Sequence, residues 1–134
     1  MPKFPAISEE MRRWCALIEA EVLTWPEIKA RPMFGLTAFY RKDRIFAAIP
    51  KTRTMGQRDS VIFKLLAAPA GLVQRALAHP RVVSTQFPAG GWIEFELESV
   101  NDVREALRWL SHAYECSQTN AQKAFCRLMG AADA

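Results

Sequence analysis

Trp92-Ile93-Glu94-Phe95-Glu96-Leu97 is the stretch that decides the fold. Ile93, Phe95 and Leu97 share one parity and Glu94 and Glu96 the other, so an extended chain here has an apolar and a polar face. Such a strand belongs to an antiparallel sheet covered on one side. Working outward, Pro88-Ala89-Gly90-Gly91 reads as a turn, and a weaker strand is expected around Arg81 to Thr85. On the other side, Ser99-Val100-Asn101-Asp102 resembles a capping box with Asp in place of the commoner Glu. The helix it opens carries an inward stripe of Val103, Leu107, Leu110 and Tyr114.

Further upstream, Pro69 starts a helix with Leu72, Val73, Ala76 and Leu77 on one face, stopped before Pro80. Val61 to Leu66 is rich in strand-favouring residues, and Pro50 to Ser60 reads as a polar loop. Leu36 to Tyr40 and Arg44 to Ile49 flank Arg41-Lys42-Asp43, which reads as a hairpin connection. Near the N-terminus, Ser8 caps a helix whose Met11, Trp14, Ile18 and Val22 recur at spacings of three and four. Glu9 and Glu10 suit its positive end, and Thr24-Trp25-Pro26 ends it. A last short helix is expected over Asn120 to Met129. The fold class is therefore two-layer α+β, in the order α-β(3)-α-β(2)-α with an antiparallel sheet, plus a short C-terminal helix.

Composition fits one domain over residues 1–134, with its core in about residues 8–116 and a C-terminal extension over 117–134. Half of the residues are hydrophobic and 24% are charged, an ordinary globular mixture rather than a disordered one. No stretch approaches the ~20 apolar residues of a membrane span, so no membrane partner is expected. Met1-Pro2-Lys3-Phe4-Pro5 lacks the pattern of a signal peptide. Three cysteines without a close pair fit a reducing compartment, and a cytoplasmic location is expected.

Two stretches resemble known families. Arg31-Pro32-Met33-Phe34-Gly35, continuing through Phe39-Tyr40 to Ile45-Phe46-Ala47, looks like the opening of TfoX N-terminal domains, and Lys64 matches the lysine after their third strand. Gly91-Trp92 through Leu97, and on to Leu110-Ser111 and Tyr114, is similar to MmcQ/YjbR-like proteins. The resemblance covers about residues 8 to 116 and implies a helix, three strands, a helix, two strands and a helix. It departs at Lys42-Asp43, where the family usually has a glycine. What it implies for function is regulatory: TfoX-type proteins are associated with competence and YjbR-type proteins with DNA binding, without agreed catalytic residues.

Catalytic chemistry finds little support in the residues. His112 and Cys116 stand four apart on the predicted helix, but no third ligand is near in sequence, so no metal is expected. His79 and His112 sit in no nucleophile signature, and His79 at a helix end is expected to favour the last carbonyls. Glu94, Glu96 and Glu98 lie on one strand face as similar, solvated groups, unlike an acid/base pair with divergent environments. Pro50 to Ser60 holds neither phosphate-loop pattern, so no nucleotide cofactor is expected.

One segment stands above background. Arg41, Lys42, Arg44, Lys51, Arg53 and Arg58 face only Asp43 within eighteen residues, a net of +5, more than the whole chain's +4. Presented together by two loops at one sheet edge, they would neutralise phosphates. The segment carries no recognition helix or base-reading aromatic pair. The expected function is thus a non-enzymatic binding or regulatory domain contacting nucleic acid or another polyanion. The alternative is a protein-interaction or adaptor domain, binding a protein partner or a second copy through its sheet face or through Trp92 and Trp109, both off the predicted core stripes.

Overall fold

The computed structural model describes residues 6–54, 58–65, 68–83 and 91–117. Among the described residues three helices, α1 (Glu9–Val22), α2 (Ala70–Ala78) and α3 (Val100–Cys116), accompany six strands. The strands are β1 (Ile28–Met33), β2 (Leu36–Arg41), β3 (Arg44–Pro50), β4 (Ser60–Lys64), β5 (Val82–Val83) and β6 (Trp92–Glu96). They form one antiparallel sheet in the order β1-β2-β3-β4-β6-β5. The expected α+β class with helices on one face of an antiparallel sheet is therefore present. The short C-terminal helix expected over Asn120 to Met129 lies outside the described residues.

The sheet has one strand more than the sequence reading. Ile28–Met33 pairs along its whole length with β2. Its sequence, with Lys29, Arg31 and Pro32, lacks apolar alternation, because an edge strand buries little: four of its six residues are exposed. Proline and charge are tolerated there and discourage further pairing along the edge.

Helix α1 begins as its residues dictate, with the Ser8 hydroxyl accepting from the Met11 amide at 3.1 Å. Its Met11, Trp14, Ile18 and Val22 are buried. At the start of α3, Asp102 Oδ2 accepts from the amides of Glu98 and Ser99 at 2.8 and 3.1 Å. The core lies between helices and sheet, where Phe39, Phe46, Phe63 and Phe95 are fully buried. Phe46 and Ala47 both reach it because a register shift opposite Phe39/Tyr40 inserts one residue into β3.

Trp109 belongs to this core. It is 7% exposed and stacks on Phe63, with ring centroids 6.0 Å apart and planes 12° apart. The expectation that it offers a partner anchor is corrected. Ala106 and Ala113 are also buried on α3, and these small residues widen the inward face beyond the Val103–Tyr114 stripe.

A second, smaller apolar group occupies the opposite face of the sheet. There Ala48 and Ile62 are buried, with Met33, Leu36 and Trp92 packed against them. Glu94 shares this face, but it is not the solvated group that its parity suggested. It is 4% exposed, and its Oε2 accepts from the wholly buried Ser60 hydroxyl at 2.6 Å.

Candidate functional site

The antiparallel register separates the six cations singled out in the sequence. Arg41, Lys42 and Arg44 surround the β2–β3 turn, whereas Lys51 and Arg53 follow the far end of β3. β3 has seven residues, which puts about 20 Å between its ends. Arg58 precedes β4, which pairs antiparallel to β3, so it lies at the Lys51–Arg53 end. The six form two groups at opposite ends of the sheet, not one.

Arg41 is a structural residue. Its guanidinium lies 4.2 Å from the Tyr114 ring centroid and Nη1 donates to the Tyr114 carbonyl at 3.1 Å. With its side chain 14% exposed, it joins the sheet to the end of α3 rather than facing solvent. Nearby, Tyr114 Oη donates to the Pro26 carbonyl at 2.8 Å, and the Tyr114 ring meets Trp25 and Phe46. Lys42 adopts a left-handed φ of 55°, a backbone conformation that costs a lysine more than a glycine. Its ammonium lies 3.1 Å from Glu27. Arg44 is exposed and has no ion-pair partner among the described residues.

At the other end, the Gly35 carbonyl accepts from the amides of Lys51, Thr52 and Arg53 at 3.0, 2.9 and 3.4 Å. This locks the basic turn against the β1–β2 turn. A Cβ on Gly35 would stand 3.1 Å from Arg53 Cγ and 3.2 Å from Thr52 Oγ1, and φ at Gly35 is +82°. Glycine serves both the close approach and the turn conformation here. The Lys51 ammonium is 3.7 Å from Glu19 and its side chain is 63% exposed, a pair that water largely screens. Arg53 and Arg58 are exposed.

The extra strand adds cations that sequence reasoning missed. Lys29 and Arg31 are exposed on β1, and the Arg31 guanidinium sits 5.7 Å from the Tyr40 ring. Opposite Lys64 in register, Trp92 is half-buried, with the Lys64 ammonium 5.7 Å from its ring. Residues 27–53 hold seven cations against two acids, a net of +5, while residues 58–98 hold four of each. Charge thus concentrates in the β1–β3 half of the sheet. The pairing of Lys29 and Arg31 with β2 is the signal, and it appears only once β1 is recognised as a strand.

The groups considered for catalysis are held by structural contacts. His79 does not point back at its helix: Nδ1 accepts from the Arg81 amide at 3.0 Å, and the ring packs against Phe95 and Trp109. His112 lies against Trp109, and its pKa is lowered by burial and by Arg75 and Arg108. Burial pushes the Cys15 thiol up to about 12. Among the described residues, no three His, Cys, Asp or Glu side chains gather as metal ligands, and no helix is long and apolar enough to cross a membrane.

No family model, curated protein or solved structure matches this chain.

Proposed function

We propose that this chain is a non-enzymatic, cytoplasmic binding domain of the TfoX N-terminal and MmcQ/YjbR-like kind, which contacts nucleic acid or another polyanion. The observation that carries this reading is the uneven charge of the sheet. Lys29, Arg31, Lys42, Arg44, Lys51 and Arg53 are exposed along β1–β3 and its turns, where Glu27 and Asp43 are the acids of residues 27–53. The sheet's other half is balanced, so a polyanion is drawn to one side of the molecule.

The test is a mobility-shift titration with duplex and single-stranded DNA at two salt concentrations. Contacts to about four phosphates lower affinity roughly 100-fold between 50 and 200 mM salt. Arg53→Ala with Arg58→Ala, and separately Lys29→Ala with Arg31→Ala, are expected to weaken binding and flatten that slope. Absent or salt-insensitive binding overturns the reading.

A second reading, a protein-interaction domain, draws on one observation. Trp92 stays half-buried on the sheet face away from the helices, packed against the small Ala48–Ile62 cluster. A monomer by light scattering that retains no partner in a pull-down counts against it.

A further inference from the structure

Phe34 is the most exposed large apolar side chain among the described residues. It is 93% exposed, so it contributes nothing to the core. It is also the first of two residues joining β1 to β2, with φ of +52°, followed by Gly35 at +82°. Two successive positive φ values define the hairpin turn that Asn, Asp and Gly favour. A phenylalanine there bears the left-handed penalty and leaves its ring in water. Neither the turn nor the packing selects an aromatic ring at this position; contact with a ligand would.

The surroundings indicate which ligand. The three amide bonds to the Gly35 carbonyl seat Lys51-Thr52-Arg53 directly against this turn. The Arg53 stem and the Thr52 hydroxyl lie within 3.2 Å of where a Gly35 Cβ would stand, one residue from Phe34. Arg31 lies three residues back along the exposed edge strand. An aromatic face beside cations and a hydroxyl matches the alternation of base and phosphate in a single strand. Duplex bases are already stacked on one another, so a ring reaches their faces only by unstacking a step, a cost that an unpaired base avoids.

We infer that Phe34 is a stacking platform for an unpaired base, with Lys51, Thr52 and Arg53 receiving the adjoining phosphate. This rests on the polyanion reading above and makes single-stranded nucleic acid its ligand.

The experiment measures fluorescence anisotropy of a short labelled oligo(dT), of the same strand annealed to oligo(dA), and competition by inorganic polyphosphate. The variants are Phe34→Asn, which suits the turn and preserves folding, and Phe34→Trp, which retains an aromatic face. Wild type is expected to prefer the single strand to the duplex. Phe34→Asn is expected to lose about 5- to 150-fold in oligo(dT) affinity, the range found per stacked base. Its polyphosphate binding stays unchanged, and Phe34→Trp binds oligo(dT) like wild type. If wild type binds polyphosphate and DNA but Phe34→Asn keeps full oligo(dT) affinity, the platform is overturned while the polyanion reading stands, and Phe34 is reassigned to a protein contact. If wild type binds no polyanion even at low salt, both fail.

Discussion

Replacing Arg41 separates the two roles that a cation in this segment can have. Arg41→Met keeps most of the aliphatic stem and removes the guanidinium. Two interactions are lost: the charged hydrogen bond to the Tyr114 carbonyl and the stacking over the Tyr114 ring at 4.2 Å. The first contributes roughly 1.5–3 kcal/mol and the second roughly 0.5–2 kcal/mol. The contact with Glu27 at 3.7 Å adds little, because that carboxylate is 38% exposed. An offset exists, since Arg41 Nε is buried without a hydrogen-bond partner and its desolvation cost vanishes with it. The net loss is about 2–3 kcal/mol. With an unfolding entropy of ~2.1 cal/mol/K per residue over 134 residues, that lowers Tm by about 7–11 °C. Urea and thermal unfolding followed by tryptophan fluorescence measure it, with DNA titrations on the folded variant alongside. The expected result is a less stable protein with wild-type polyanion affinity. A protein as stable as wild type that no longer binds DNA would refute the assignment of Arg41 to the structure.

Three other perturbations probe the fold. Ser60→Ala strands the buried Glu94 carboxylate and is expected to cost about 1.5–3 kcal/mol by urea denaturation, part of it recovered when Glu94→Gln is added; a loss under ~0.5 kcal/mol is evidence against the pair. Gly35→Ala combines a φ of +82° with a Cβ 3.1 Å from Arg53 Cγ, and is expected to cost about 1–2 kcal/mol or more by the same assay. Cys15 titrates near 12 in the fold, against an ordinary value of 9.0. The unfolded state therefore binds fewer protons between these values, and the Cys15 contribution to stability declines as pH rises from about 9 towards 12. In a variant with Cys116 and Cys126 as serine, native Cys15 is expected to resist a thiol reagent at pH 8 and to react on unfolding.

Elements with strong local signals were legible in the chain. The 3.6-residue spacing from Met11 to Val22, the cap at Ser8 and the alternation through Ile93, Phe95 and Leu97 reflect burial on one face of a single element. Each identifies its core side without reference to any neighbour. Edge strand β1 carries no such signal, because an edge buries little and its identity comes from hydrogen bonds to β2. The exposed cations at Lys29 and Arg31 were missed for the same reason. Trp109 was misplaced because the alanines that widen the face of α3 are weakly hydrophobic and escape a periodicity reading.

The sequence by itself determined the helices, most of the strands, the α+β class and an excess of positive charge before residue 59. These depend on interactions within a turn or along a strand, which residue spacing encodes directly. Only the tertiary structure decided how that charge is used. Antiparallel pairing carries Arg41 and Arg53 to opposite ends of the sheet, since each strand reverses the direction of the last. Burial turned Glu94 from a surface acid into a hydrogen-bonded core group and Arg41 from a ligand contact into a brace. The tight turn at Gly35 brought the Lys51–Arg53 backbone against the tip that carries Phe34. These residues lie some seventeen positions apart in the chain, and their approach is a property of the sheet register rather than of either segment.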